Sequence, residues 1–339
     1  MPKLRVGITP DVVTPRGDHV YGSAPLKLLD HPDIEWELLP RAEPAFSPDT
    51  AARYDALCVM LGGVNAATFS RGDHRLRLVA RFGVGYDTID VPACTRNGVM
   101  VTLAPDGVRR PVATNVVTFV LALAQKLQIK DRLVREGRWN EKFGHMGLGL
   151  TGRTLGLIGV GNIGAEVFRL AKPFEMRHIA FDPYADPGAL RALGVEPVDF
   201  DTLLRTADFV SVNCPLNDKT RGLIGARELG LMKSTAYLIN TARGSIVQEK
   251  ALYEALKAGT IAGAGLDVFE VEPTPKDNPI LALDNVIVTP HGLCFTDECA
   301  EGLASSAFGA ARALAEGKVP PHVLNRDALA HAKLAGLRA

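Results

Sequence analysis

Gly159-Val160-Gly161-Asn162-Ile163-Gly164 lies between the apolar run Thr154–Ile158 and a stretch, residues 165–171, with helical spacing of its apolar side chains. Three glycines so spaced between a strand and a helix leave few folds open. Gly159 permits a tight turn, Gly161 lets an anion approach the backbone, and Gly164 brings the helix against the strand. The free amides at the helix start, those of Asn162 and Ile163 among them, then face the anion. The next apolar run ends at Asp182, eighteen residues past Gly164. A carboxylate there accepts hydrogen bonds from ribose hydroxyls and repels a 2′-phosphate, and no Arg or Lys follows in Pro183-Tyr184-Ala185-Asp186 to offset it. The combination predicts NAD as cofactor. The competing role for Asp182 is to cap the next helix.

The same alternation of short β-branched runs and helical patterns extends along the chain and places it in the α/β class with parallel sheets. Residues 4–8, 34–39, 56–61, 76–82 and 99–103 read as one series of strands; 154–158, 178–181, 209–213, 236–239, 263–266 and 286–288 read as a second. A helix over 111–136, with Pro111 in its first turn, connects the two series. After residue 288 too little chain follows for another domain, so an Ala-rich helix over 298–316 is expected to return to the first series. The expected architecture is two doubly wound parallel-sheet domains. A Rossmann domain of residues 106–296 is inserted into a discontinuous, flavodoxin-like substrate domain of residues 1–105 and 297–339.

Lys and Arg number 38, as do Asp and Glu, so there is no basic excess to neutralise phosphates and no nucleic-acid partner is expected. The longest nearly unbroken apolar run, residues 116–124, is about half what a bilayer requires. The start, MPKLRVGITP, reads as a strand rather than a signal segment. A cytoplasmic protein with no membrane partner is the expectation. The 5 cysteines are an odd number with no CxxC pair, which fits reduced thiols; His291, Cys294 and Cys299 lie close in sequence, but no metal is expected.

Ligands bind outside the carboxyl ends of parallel strands. Three such ends carry chemistry: Thr241-Ala242-Arg243-Gly244, Asp267-Val268-Phe269-Glu270-Val271-Glu272-Pro273, and Thr289-Pro290-His291-Gly292. An Arg, a carboxylate and a His can converge there. In the first series, Gly83-Val84-Gly85-Tyr86-Asp87 lacks a third glycine and reads as a turn whose amides, Val84 and Gly85 included, hold a small anion such as a substrate carboxylate.

These segments resemble the D-isomer-specific 2-hydroxyacid dehydrogenase family over nearly the whole chain. The likeness takes in Arg81-Phe82-Gly83-Val84-Gly85-Tyr86-Asp87-Thr88-Ile89-Asp90, Leu150-Thr151-Gly152-Arg153-Thr154-Leu155-Gly156, the glycine motif, and Pro215-Leu216 with Thr220-Arg221-Gly222-Leu223-Ile224. It implies hydride transfer between NAD and a small 2-oxo or 2-hydroxy acid, in a cleft between two similar α/β domains. It also implies a homodimer, with residues 138–150 as the arm. Arg243 would grip the substrate carboxylate and polarise the adjacent carbonyl. His291 would be the acid in reduction and the base in the reverse direction, and Glu272 would orient it and favour its protonated form. Glu270 is the rival carboxylate; Glu272 is preferred because it directly precedes Pro273, as the family's acid precedes Pro. The resemblance further places Thr241, Ala242, Asp267, Gly292, Cys214, Pro215, Thr220, Val108 and Val112 around the cofactor.

Substrate choice falls to the loop Met60-Leu61-Gly62-Gly63-Val64, where Met60, Leu61 and Gly62 are the candidate contacts. It has no basic side chain, which argues for an unphosphorylated acid of glyoxylate or hydroxypyruvate size. Arg109 and Arg110 are the cations that would change that reading. The chain departs from the family pattern at Ala113-Thr114 and at Leu293-Cys294-Phe295, which puts the shape of the pocket in doubt. Two alternatives stand beside the reductase: phosphoglycerate or phosphite oxidation by the same three residues, and an NADH-sensing binding protein with no turnover.

Overall fold

The computed structural model describes residues 3–14 and 16–338. Met1–Val108 together with Phe295–Ala339 form one compact unit, and Arg109–Cys294 form the other. The first is built on β1 (Leu4–Ile8), β2 (Ile34–Leu38), β3 (Ala56–Val59), β4 (Leu78–Arg81) and β5 (Met100–Thr102). These are all parallel, in the order β2-β1-β3-β4-β5, the doubly wound arrangement of flavodoxin-like sheets.

The second unit holds β6 (Thr154–Ile158), β7 (Arg177–Phe181), β8 (Glu196–Pro197), β9 (Phe209–Val212), β10 (Tyr237–Asn240), β11 (Gly263–Leu266) and β12 (Val286–Val288). Their order is β12-β11-β10-β9-β6-β7-β8, again all parallel, which is the Rossmann order extended by one strand. Alternate residues feed two cores, as the period of a strand dictates. Leu155, Leu157, Phe209, Tyr237 and Ile239 point to one face, and Ile158, Val210, Val212, Leu238 and Leu266 to the other.

Strands at 4–8, 154–158, 263–266 and 286–288 have the expected bounds, but several others are shorter than their apolar runs. Past Val59 the backbone leaves the ladder because side chains from the end of β1 take its amides: Met60 N donates to Thr9 Oγ1 at 3.0 Å and Leu61 N to Asp11 Oδ2 at 2.8 Å. β8 escapes sequence reading because it is two residues long and ends in proline, as only an edge strand can.

The helix expected over 111–136 is two helices, Pro105–Ala124 and Leu127–Arg135, bent by 57° at the break. Pro105 rather than Pro111 takes the first turn, and Pro111 sits inside the helix. Lys126 ends the first run by adopting the left-handed conformation, φ 51°. Val116, Phe119, Val120 and Leu123 of the long helix are core residues, and among the described residues no single helix is long and apolar enough to cross a membrane.

The Ala-rich helix runs over Asp297–Ala315 and packs in the first unit. Thr296 caps it through Cys299 N at 3.2 Å, with Asp297 and Glu298 in its first turn and Arg312 in its last, matching the helix dipole. It crosses the start of the helix Pro105–Ala124 backbone to backbone: a Cβ on Gly302 would stand 2.7 Å from Gly107 Cα. Gly302→Val should therefore destabilise the first unit by about 1–3 kcal/mol, seen as a lower urea midpoint. An unchanged midpoint would mean that the helices do not meet there.

Candidate active site

Loops that leave the carboxyl ends of a parallel sheet gather along one edge. Across the second unit that edge carries, in strand order, His291 after β12, Asp267 and Glu272 after β11, Arg243 after β10, Cys214 after β9, the glycine loop after β6 and Asp182 after β7. Strand order reverses between β9 and β6, where open α/β sheets receive their ligands.

The glycine loop is shaped for an anion. Gly159 has φ 94°, and a Cβ there would lie 2.7 Å from Cys214 N; one on Gly164 would lie 2.6 Å from Gly159 O. Both therefore serve close packing, with Cys214 brought against the loop. Around Gly161, by contrast, a Cβ would meet nothing within 4 Å, and Gly161 starts the helix Asn162–Ala171 with no side-chain cap. Exposed amides at that helix start fit a pyrophosphate, so the residues present suit a dinucleotide.

Asp182 does not cap the next helix, whose cap is Asp186. Its Oδ2 accepts from Val160 N at 2.8 Å and its Oδ1 from Tyr184 N at 2.9 Å, so it also fastens the glycine loop. In the loop after β9, Thr220 Oγ1 donates to Pro215 O at 2.6 Å and closes the turn. Burial, with Asp182 nearby, pushes the Cys214 thiol up to about 11, so it is a neutral thiol at ordinary pH.

At the other end of the edge, His291 Nδ1 lies 2.6 Å from Glu272 Oε2, and Glu272 Oε1 accepts from Phe269 N at 2.9 Å. The hydrogen bond to Glu272 raises the His291 pKa above the ordinary histidine value; burial opposes it, the Glu272 charge adds to it and the Arg243 charge subtracts. For Glu272, burial favours the neutral carboxyl, but the bonds from His291 and the Phe269 amide and the charges of His291 and Arg243 hold it below its usual range. Glu270 is occupied elsewhere, in a reciprocal pair with Glu249 at the start of the helix Glu249–Lys257.

Two buried polar residues that sequence reasoning missed or underread shape these loops. Asn240, which ends β10, accepts from Ala242 N at 3.0 Å and donates to Arg243 O at 2.9 Å, locking the turn of Thr241, Ala242 and Arg243. Arg243 itself donates from Nη1 to Ala242 O at 2.7 Å. Asp267, placed by the resemblance only around the cofactor, uses Oδ1 to accept from Thr289 Oγ1, Gly292 N and Leu293 N, which holds the loop bearing His291. An amide or carboxylate as the last polar group of an apolar strand is the signal that would have found both.

Gly244 lets the Arg243 and Glu272 loops touch: a Cβ there would fall 1.9 Å from the Phe269 carbonyl. Arg110, one of the two cations left open by the sequence, pairs with Glu166 at 2.8 Å. Val112 is half-buried on the long helix, in the second unit, whereas Val108 is buried in the first. The first unit also holds Met60, Leu61, Gly62, Val84 and Gly85. Arg81 ties their loops together, donating from Nη1 to Met60 O at 2.8 Å and from Nε to Gly85 O at 3.1 Å. Among the described residues no backbone–backbone hydrogen bond takes up the amides of Val84 and Gly85.

Residues 117–292 match the model of a known family, described as D-isomer specific 2-hydroxyacid dehydrogenase, NAD binding domain. A glyoxylate reductase of Korarchaeum cryptofilum is 41% identical over 276 residues, covering 80% of this chain and 83% of that protein. The chain belongs to the D-isomer specific 2-hydroxyacid dehydrogenase family. Among other relatives, a D-3-phosphoglycerate dehydrogenase of Archaeoglobus fulgidus is 42% identical over 246 residues, 73% of this chain but 46% of that protein. The solved structure of a glyoxylate reductase from Paecilomyes thermophila superposes with a TM-score of 0.81 at 28% identity, covering 93% of this chain and 96% of that one. The protein is accordingly an NAD-dependent oxidoreductase of the 2-hydroxyacid dehydrogenase type, with an NAD-binding Rossmann domain inserted into a discontinuous flavodoxin-like one.

Because the bond to Glu272 raises the His291 pKa, Glu272→Gln should make the imidazole titrate at lower pH than in the unsubstituted dehydrogenase, followed by NMR. An unmoved titration would separate the two side chains. Gly244→Ala should lower turnover by more than about tenfold by forcing apart the loops of Arg243 and Glu272; wild-type turnover would contradict the close approach.

Proposed function

We propose that this dehydrogenase reduces a small unphosphorylated 2-oxo acid of glyoxylate or hydroxypyruvate size, with NADH as reductant. The observation that carries the proposal is the 2.6 Å contact between His291 Nδ1 and Glu272 Oε2. With Nδ1 bonded to Glu272, Nε2 is the nitrogen left for a carbonyl oxygen, and the pairing favours the charged ring, in which Nε2 carries a proton to give. When bound, NADH would supply the hydride that C2 of the acid receives. Arg243 holds the substrate carboxylate and polarises the carbonyl, and His291 gives its proton to the carbonyl oxygen as the hydroxy acid forms. In the oxidative direction His291 takes that proton back.

In the same proposal residues 106–296 are the NAD domain, and residues 1–105 with 297–339 the substrate domain. Gly159, Gly161, Asn162, Ile163 and Gly164 hold the pyrophosphate, and Asp182 the adenosine ribose. Cys214, Pro215, Thr220, Thr241, Ala242, Asp267, Gly292, Val108 and Val112 line the rest of the cofactor. Met60, Leu61, Gly62, Val84 and Gly85 contribute to substrate binding. A phosphorylated acid is disfavoured because residues 60–64 bring no cation and Arg110 is taken by Glu166. The enzyme works as a cytoplasmic homodimer in this reading. The exposed Trp139, Phe143 and Met146, at 61%, 76% and 69%, give residues 138–150 the apolar surface a partner copy would cover.

NADH oxidation should be fast with glyoxylate or hydroxypyruvate and slow with phosphorylated 2-oxo acids, and His291→Ala should abolish it while NADH affinity stays nearly unchanged. Preference for a phosphorylated acid, or an active His291→Ala enzyme, would overturn the proposal. Asp182→Ala should weaken NADH binding and narrow its advantage over NADPH, read from the two Kd values; an unchanged ratio would remove Asp182 from the cofactor site.

A further inference from the structure

The two stretches in which this chain departs from its family's pattern, Ala113-Thr114 and Leu293-Cys294-Phe295, adjoin one buried side chain. Asn115 lies on the helix Pro105–Ala124 and is 3% exposed. With the amide nitrogen turned toward carbonyls, it donates to Leu293 O at 3.1 Å and Pro111 O at 3.2 Å, and its oxygen accepts from Cys294 N at 2.8 Å. The opposite orientation would set oxygen against oxygen and N–H against N–H, so the network itself assigns the amide.

Residues 289–296 form neither helix nor strand; Thr289 N donates to Leu266 O and His291 N to Thr289 O, while the amides of Gly292, Leu293 and Cys294 are taken by side chains. Asp267 holds the first half of this loop, through Thr289 Oγ1, Gly292 N and Leu293 N. Asn115 holds the second half, through Leu293 O and Cys294 N. His291 stands between, in the left-handed conformation at φ 50°, with its ring partly exposed. A ring so placed is positioned by its backbone, and a displacement of about 1 Å is enough to break a short hydrogen bond to Glu272 or to misalign a proton donor.

We infer that Asn115 is a positioning residue for the reaction: it fastens the loop of His291 to the long helix and thereby sets where the imidazole stands relative to Glu272. The inference rests on the reading of His291 as the acid. The charged groups that face the imidazole are Glu272 and Asp267 from the loop after β11 and Arg243 from the loop after β10, and none of them replaces what Asn115 does for Leu293 and Cys294. An apolar side chain of similar volume would fill the space but make neither the bond to Leu293 O nor that from Cys294 N.

The test compares Asn115→Leu, Asn115→Ser and His291→Ala with the unsubstituted enzyme, in glyoxylate reduction over a range of pH, with active sites counted by NADH binding. Asn115→Leu should keep NADH affinity within about twofold, lower kcat per NADH site by at least about tenfold, and move the pH midpoint of reduction downward as the bond to Glu272 loosens. Asn115→Ser, which makes room for a water to bridge the same groups, should lie between the two. If Asn115→Leu leaves kcat and the midpoint unchanged, the inference is wrong. It is equally wrong if activity falls only in step with the number of NADH sites at an unmoved midpoint, which marks a purely structural role. Should Asn115→Leu fail to fold, Asn115→Ser decides on the same two readouts. An active His291→Ala enzyme would instead strike down the functional reading beneath it.

Discussion

Everything placed at the site of the second unit hangs on the parallel alignment of its seven strands. A single antiparallel strand among β6, β7, β9, β10, β11 and β12 would send its loop to the opposite edge of the sheet and remove a part of the site. Parallel pairing needs a crossover for every strand and cover on both faces, and the chain supplies it through two cores fed by alternate residues. The small residues of β11 show how tight the cover is: a Cβ on Gly265 would come within 2.6 Å of the Phe119 ring of the long helix.

A second device recurs at the strand ends. A polar residue there turns back and satisfies the backbone of an adjoining loop: Asn240 for residues 242 and 243, Asp267 for 292 and 293, Asp182 for 160 and 184, and, in the first unit, Thr9 and Asp11 for 60 and 61. Bonds to a charged acceptor are worth about 1.5–3 kcal/mol each. Irregular loops that carry function are in this way fixed by the regular elements beneath them. His291 then needs only one strong side-chain partner, Glu272, because its backbone is already held.

Much of this was legible in the sequence because strand periodicity and glycine spacing are local signals. The strands of both series, the glycine loop, Asp182 at the end of β7 and the trio of Arg243, Glu272 and His291 at successive strand ends all follow from short stretches read alone or against a family pattern. What escaped depends on distant partners. The start of the long helix went astray because Pro105 and Pro111 are equally good first-turn residues, and the packing of Gly107 on Gly302 that accompanies the earlier start joins positions far apart in sequence. Asn115 carries no motif, and although Asn240 ends an apolar strand with an amide, only the fold shows which backbone groups the two serve. The loop-anchoring part of Asp267 was hidden for the same reason.

The pH dependence of kcat/KM for glyoxylate reduction by the unsubstituted enzyme tests the central claim most directly. If a protonated His291, held by Glu272, delivers the proton, the rate is fully developed at low pH and falls as pH rises through a single midpoint above the ordinary histidine value of about 6.5. The sign follows from the raised pKa: the reactive form is the charged ring, and Glu272 extends its range upward. A rate that is flat across that range, or that rises with pH, would show that some other group supplies the proton.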